Sequence, residues 1–169
     1  SRNRSAQSAQ VFAAILAGTV LSAVASTSAF AESKLVDARN PDRLLEIARG
    51  YGTANLDVAA DDTPMIIGRI DGTRYNIFFY DCDGENENCK SIQFYAGWTD
   101  IDMSLRDMNE WNKTKRWFQA YQDDEGDSVI EMDVNMFGGV SFSNADDTFD
   151  WWRIGLKEFL EYAKEAGDN

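Results

Sequence analysis

A hairpin signal constrains this chain more than any other feature of its sequence. The dipeptide Asp71-Gly72 lies between two apolar segments, residues 65–70 (MIIGRI) and 75–80 (YNIFFY). Asp-Gly favours the tight two-residue turn whose backbone twist matches that of paired strands. The segment therefore predicts an antiparallel β-hairpin, and the rest of the fold has to extend the sheet that this hairpin begins.

Alternating apolar residues predict further strands. Residues 53–60 are a weak strand candidate, whereas residues 91–98 (SIQFYAGW) place apolar side chains on every second position, as a strand with one buried face does. Residues 117–122 and 128–134 predict another antiparallel pair, joined by the acidic turn at 123–127 (DDEGD).

Three segments predict helices. Asn40-Pro41 precedes an apolar stripe that ends at Gly50, which indicates a helix of about ten residues. Ser104 and Asp107 match the Ser-x-x-acid capping pattern at the start of a second helix that runs to about residue 112. The last helix, about residues 148–166, carries apolar residues at spacings of three and four. Its stripe is Phe149, Trp152, Leu156, Phe159 and Ala163.

The order of these elements is helix, strands, helix, strand pair, helix. That order indicates an α+β fold, an antiparallel sheet with helices packed on one face. We expect residues 40–166 to form a single domain, preceded by an N-terminal extension at 32–39.

The N-terminal segment predicts export. Arg2 and Arg4 precede an apolar run at residues 11–25, and Ala29-Phe30-Ala31 matches the A-x-A cleavage pattern. We interpret residues 1–31 as a secretory signal peptide and expect a periplasmic or secreted protein without stable membrane insertion after cleavage. The alternative, a retained anchor, needs roughly 20 apolar residues, and small and polar residues interrupt this run.

Charge restricts the partners. The chain has 29 acidic and 16 basic residues, a net charge of −13, and removal of the predicted signal peptide also removes two arginines. Such a surface repels phosphate backbones, so nucleic acid is excluded as the expected partner. The chain contains no histidine, which removes the commonest general base and imidazole metal sites.

Several segments together resemble a known family. They are Asn109-Glu110-Trp111-Asn112, Lys115-Arg116, the acidic turn with Gly126, Glu131-Met132-Asp133 and Gly138-Gly139-Val140. Over roughly residues 40–165 the chain resembles the YbjN-domain family of bacterial sensory-transduction regulators. The resemblance implies a fold like that of the type III secretion chaperones, which bind other proteins and lack a catalytic site. Many relatives are cytoplasmic, so their cellular role does not transfer to a chain with a signal peptide.

We therefore expect a non-catalytic protein-binding or regulatory module without a cofactor. Its partner would be a protein or peptide, and a second copy of the chain in a homodimer is included among these. A calcium-binding or calcium-stabilised envelope protein is the alternative. An enzyme that uses carboxylates is a third possibility, because Asp and Glu are abundant in the chain.

The two cysteines, Cys82 and Cys89, enclose an acidic loop between two predicted strands. An exported protein with two cysteines favours a disulfide, and their spacing differs from the C-x-x-C of redox enzymes. Asp81, Asp83 and Glu85 are candidate calcium ligands, although their spacing does not match an EF-hand.

A second line on the last helix is the candidate partner-binding site. Trp151, Gly155 and Tyr162 follow helical spacing, so two large aromatic side chains could wall a groove with Gly155 as its floor. The alternative is that these aromatic residues belong to a wide core.

The amides of Asn109 and Asn112 lie three residues apart and could bind a ligand beside Trp111. We favour structural roles for them. In that interpretation Asn112 caps the helix end, and Asn109 binds backbone groups of the adjoining strand. The motif residues Gly126, Gly138 and Gly139 are likewise expected to be structural.

Overall fold

The computed structural model describes residues 35–167. The predicted signal peptide at residues 1–31 lies outside the described residues, so its cleavage stays a prediction. Residues 35–167 form three helices: α1 (Pro41–Tyr51), α2 (Leu105–Thr114) and α3 (Phe142–Gly167). The six strands are β1 (Gly52–Val58), β2 (Pro64–Ile70), β3 (Thr73–Tyr80), β4 (Ser91–Trp98), β5 (Gln119–Gln122) and β6 (Ser128–Asn135).

All six strands form one antiparallel sheet in the order β1-β2-β3-β4-β6-β5. The hairpin predicted at Asp71-Gly72 is confirmed, because Ile70 pairs with Thr73 across it. Both turn residues have positive φ, 49° and 84°, as this type of two-residue turn requires. The predicted α+β class and the order of elements are confirmed.

Two element boundaries differ from the sequence prediction. Strand β5 begins at Gln119 rather than at residue 117, because Trp117 has a φ of 72°, which an extended strand cannot contain. Helix α3 begins at Phe142 rather than near Thr148. Ser141 explains the earlier start, since its hydroxyl accepts a hydrogen bond from the Asn144 N–H at 3.2 Å and so caps the helix.

The core lies between the sheet and the helices. The predicted stripe of α3 is buried, and Trp152 lies at its centre with no exposed surface. Its ring centroid is 5.3 Å from that of Phe94 on β4 and 6.3 Å from that of Tyr75 on β3. Aromatic contacts of this kind add to the free energy gained from apolar burial.

The stripe continues toward both ends of α3. Phe149 packs against Tyr51 at the end of α1, with ring centroids 5.8 Å apart. Phe159 packs against Trp111 of α2, with ring centroids 5.2 Å apart. The last helix thus packs against both other helices as well as against the sheet.

The predicted disulfide between Cys82 and Cys89 is present. The loop that it closes joins β3 to β4, and Lys90 N–H donates to the Tyr80 carbonyl at 3.0 Å next to the bond. The bond thus holds the base of a hairpin tip. Within the described part of the chain, no helix has the length and apolar character needed to span a membrane.

Loss of the disulfide should lower stability. Closing a ring of this size stabilises a fold by about 2–3 kcal/mol in the chain-entropy model, so reduction should lower the free energy of unfolding by that amount. Urea titration of the oxidised protein with and without reductant measures the change. A Cys82→Ala/Cys89→Ala double variant is the control, and its unfolding should not respond to reductant. If the two unfolding curves of the wild type coincide, the bond does not stabilise the fold.

Candidate functional site

A groove runs between the end of β6 and one side of α3. We call it the edge groove. Its floor is the segment 132–135 of β6, its volume is about 290 Å³, and two tryptophans, Trp117 and Trp151, line it. The fractions of these side chains that remain exposed are large, 60% for Trp117 and 45% for Trp151. Exposed tryptophans at a concave surface are typical of binding sites.

The groove exists because β5 is shorter than β6. Strand β5 pairs with β6 only between Ser128 and Glu131. The left-handed backbone of Trp117 turns the preceding chain away from the sheet, and the side chain of Phe118 packs toward α3. The remainder of β6 therefore has a free side, and Trp117 lies beside it.

The other wall comes from the first half of α3. Asn144, Asp147, Thr148 and Trp151 are spaced by three and four residues, which places them on one helical face. The indole N–H of Trp151 donates to an Asp147 carboxylate oxygen at 3.1 Å. This bond fixes the indole plane beside the groove and keeps a negative charge there.

The structure places the predicted trio of Trp151, Gly155 and Tyr162 in different surroundings. Trp151 lines the edge groove. Gly155, in contrast, is buried, and a Cβ atom at this position would lie 2.4 Å from the ring of Phe118. Tyr162 packs against Trp111 with ring centroids 5.7 Å apart, and its hydroxyl donates to the Asp107 carbonyl at 3.1 Å.

The expectation that Gly155 forms an open floor is therefore wrong, since Phe118 already fills that space. A role of Trp151 in partner binding stays a prediction. Sequence reasoning missed Trp117 as its neighbour in the groove, because residues 117–122 fit a continuous strand pattern and no local signal marks the turn.

The candidate calcium ligands lie in the hairpin tip. Asp83 accepts hydrogen bonds from the N–H groups of Glu85 and Glu87 and from the side chain of Asn88. These bonds, that from Asn88 above all, lower the pKa of the Asp83 carboxyl group. The Asp81 carboxylate accepts a hydrogen bond from the Ser91 hydroxyl at 2.7 Å. Across residues 35–167, no three or more Cys, Asp or Glu side chains converge in a way that could hold a metal ion.

On the helix-free face of the sheet, Glu131 is a buried carboxylate, with 7% of its surface exposed. It accepts hydrogen bonds from the Tyr121 hydroxyl at 2.5 Å, the Gln119 amide at 2.8 Å and the Gln93 amide at 3.3 Å. Burial, and then the bond to Glu131, raises the pKa of Tyr121. Gln93 also donates to Asp133 at 2.9 Å. Neutral donors thus hold two carboxylates on this face, beside the edge groove.

A comparison with family models identifies the chain. The YbjN model, described as "Putative bacterial sensory transduction regulator", matches residues 40–165. The chain belongs to the YbjN family. The resemblance seen in the sequence is thereby confirmed. No curated protein matches the chain.

Of the YbjN motif residues, Asn112 has the clearest role. Its side-chain oxygen accepts a hydrogen bond from the Ala120 N–H at 2.8 Å, and its amide donates to the Ala120 carbonyl at 3.0 Å. Asn112 therefore binds the outer edge of β5 from within α2 and does not cap the helix, which continues to Thr114. Asn109, which the sequence predicts to bind the strand, is exposed. The predicted roles of these two residues were wrong in detail, because helix α2 extends further than the sequence pattern indicated.

The motif glycines and Trp111 occupy structural positions. Gly126, Gly138 and Gly139 have φ values of 87°, 82° and 80°, the left-handed region that glycine adopts without strain. Trp111 is fully buried against Phe159. Gly126 thus shapes the turn between β5 and β6, Gly138 and Gly139 shape the approach to α3, and Trp111 packs α2 against α3.

The two asparagines of α2 should differ in their effect on stability. Asn112→Ala removes both hydrogen bonds to Ala120, so we expect the free energy of unfolding to fall by about 1–3 kcal/mol. Asn109→Ala, the matched control three residues away, should change it by less than about 0.5 kcal/mol. Chemical denaturation of both variants measures these values. Equal effects would contradict the assignment of the β5 contact to Asn112.

Two helical glycines should respond to alanine in opposite directions. In Gly155→Ala the new methyl group would meet the Phe118 ring, and such overpacking lowers the free energy of unfolding by about 1–3 kcal/mol. At Gly50 of α1 nothing lies within 4 Å of the new Cβ, so Gly50→Ala should raise stability by roughly 0.5–1 kcal/mol through helix propensity. Thermal unfolding of the two variants tests this. A stabilised Gly155→Ala variant would show that Phe118 does not cover the site.

Proposed function

We propose that this YbjN protein is an exported, non-catalytic regulator that acts by binding another protein at the edge groove. The observation that carries the proposal is the pair of exposed tryptophans, Trp117 and Trp151, on the two walls of one groove. Large aromatic side chains in a concave surface contribute much of the binding energy at protein interfaces.

The groove has room for a partner's side chains and offers both apolar and polar contacts. Met132 and Val134 belong to its floor, while Asp147 and Asn144 lie on the α3 wall. A volume of about 290 Å³ lies near the lower limit of small-molecule sites and corresponds to one or two large side chains. Because the floor of the groove is a strand segment with one free side, an extended peptide segment of a protein suits it.

Two features support export. The segment at residues 1–31 has the composition of a signal peptide, and the Cys82–Cys89 disulfide belongs to an oxidising compartment. The chain would then regulate signalling from the periplasm or from outside the cell. Its negative charge favours a partner with a basic surface.

The family description, which names a regulator of sensory transduction, supports a role without catalysis. The absence of histidine from the sequence removes the usual nucleophile–base pairs. The calcium alternative has no convergent ligand set within residues 35–167 to support it. A second copy of the chain remains a possible partner, and the experiment below distinguishes it.

Site-specific photo-cross-linking in the source bacterium tests the proposal. A photoreactive amino acid at position 117 or 151 should form adducts with one recurrent protein, because both positions face the groove. The matched control is position 105, since Leu105 of α2 is exposed and apolar but does not line the groove. Mass spectrometry of the adducts identifies the partner, or a second copy, and reads the N-terminus, which should begin at Glu32.

Equal cross-linking from position 105 would mean that the groove is not the binding site. Adducts that retain residues 1–31 in the cytoplasmic fraction would contradict export. Adding millimolar calcium to the purified protein should not shift its melting temperature. A clear upward shift would favour the calcium function instead.

A further inference from the structure

Strand β6 has neighbours on both sides for only half of its length. Strand β4 pairs with all of it, from Ser128 to Asn135. Strand β5 pairs with it only as far as Glu131. The segment 132–135, the floor of the edge groove, therefore has a strand on one side and none on the other within the described sheet. A free strand edge is a template for pairing with another chain.

The direction of the main-chain groups along this edge follows from two hydrogen bonds. Main-chain groups of successive residues in a strand point alternately to its two sides. The Met136 N–H donates to the Lys90 carbonyl at 2.9 Å, on the β4 side. The main-chain N–H and carbonyl groups of residues 132 and 134 then point toward β4 as well. Those of Asp133 and Asn135 point toward the free side.

The pairing of β5 agrees with this direction. The Ala120 N–H donates to the Asn112 side chain, and the Ala120 carbonyl accepts from it. Both main-chain groups of Ala120 therefore point away from β6. Its neighbour Gln119 must then face β6, where its pairing partner is Glu131. Glu131, Asp133 and Asn135 thus present their main-chain groups on the same side, and β5 covers only the first of them.

We propose that the edge of β6 binds an extended segment of the partner as an additional antiparallel or parallel strand, with apolar and basic residues in alternation. The proposal rests on the proposed function, since it states how the edge groove recognises its partner. The added strand would lie in line with β5 and occupy the position that the turn at Trp117 leaves open.

The two faces of the sheet determine why apolar and basic residues alternate in the added strand. Met132 and Val134 direct their side chains toward the helices, where Trp117 and Trp151 line the groove. Side chains of the added strand on this face would enter the 290 Å³ cavity and have to be apolar.

On the opposite face lies the Asp133 carboxylate, which Gln93 contacts through a neutral amide. A basic side chain of the added strand would come to lie across from Asp133, and opposite charges across neighbouring strands attract. The buried Glu131 lies two residues away on the same face.

Charge also argues against a second copy on this edge. Edge-to-edge pairing of two identical chains would bring Asp133 and Asp147 of one copy near the same residues of the other, and each chain carries a net charge of −13. Like charges across paired strands are destabilising. A basic segment of another protein meets no such repulsion.

A synthetic hexapeptide, acetyl-Lys-Val-Arg-Val-Lys-Val-amide, provides the probe. Its length exceeds the roughly 13 Å that four paired residues span. Binding to the full-length, disulfide-bonded protein is measured by isothermal titration calorimetry. We expect peptide bound at the edge to protect the amides of Asp133 and Asn135 from hydrogen exchange, whereas the amides of Met132 and Val134 are already bonded to β4.

Two control peptides separate main-chain pairing from charge attraction. The same peptide with an N-methyl group on each of its six residues retains its side chains but has no residue N–H with which to pair as a strand, and we expect its affinity to fall about tenfold or more. Replacing the three basic residues of the probe with Glu should abolish binding to the wild type.

A charge-reversal variant tests the face assignment. In Asp133→Lys, affinity for the basic peptide should fall about tenfold, and the Glu-containing peptide should bind measurably better than it binds to the wild type. Asp57→Lys on β1 is the matched control, because Asp57 is an exposed residue of the strand at the other edge of the sheet. This variant should bind the basic peptide like the wild type.

The outcomes distinguish the two proposals. Equal binding of the methylated and unmodified peptides, or protection away from residues 133 and 135, overturns strand addition but leaves the cross-links from positions 117 and 151 intact. Absence of binding by the basic peptide at millimolar concentration also overturns it. The opposite outcome is that the peptide binds and protects the amides of residues 133 and 135, while positions 117 and 151 form no cross-links in the cell. That outcome would refute the regulatory function and retain the strand site.

Discussion

The packing of Trp152 against the sheet is the interaction on which the rest of the structure depends. This side chain contacts Tyr75 and Phe94 on two neighbouring strands and also Phe118, just before β5. It thereby fixes α3 over the centre of the sheet. The contact with Phe118 has a second effect, because it holds the chain between α2 and β5 against α3, with Gly155 providing the space. Without that space, Phe118 could not leave the line of the sheet.

The edge groove follows from this packing. Phe118 is directed toward α3, Trp117 adopts a left-handed backbone, and β5 begins only at Gln119. On the outer side Asn112 bonds both main-chain groups of Ala120, so the short strand is held at one edge by the sheet and at the other by a side chain. The short β5 beside the longer β6 therefore leaves a gap along segment 132–135.

Much of this fold could be predicted from the sequence because its signals are local. Asp71-Gly72 between two apolar segments determines a hairpin, and the three-and-four spacing through Trp152 determines the buried face of α3. Cys82 and Cys89 lie at the bases of neighbouring strands, so their pairing followed from the hairpin. The motif that indicated the YbjN family also spans residues that hold α2 to β5.

The candidate site was less accessible to prediction because it depends on contacts between distant residues. Trp151 could be found from helical spacing alone. Trp117 could not, since no glycine or asparagine marks its positive φ, which accompanies the packing of Phe118 against α3. The occupancy of the space over Gly155 and the strand contact of Asn112 likewise depend on where β5 lies. The periodicity of apolar residues predicts which face of a helix or strand is buried. Where the helix or strand ends depends on contacts with residues distant in the sequence.

The acidic character of the open edge has a consequence for how the protein behaves in concentrated solution. A strand with unpaired main-chain groups is a site for self-association, and here Asp133 and the high net charge keep identical chains apart. The same charges would attract the basic partner that we propose. Ionic strength therefore acts on both processes at once, since screening weakens the attraction and the self-repulsion together. Under the export that we propose, the protein would experience the salt of its surroundings, so its solubility and its selectivity for the proposed partner would change together.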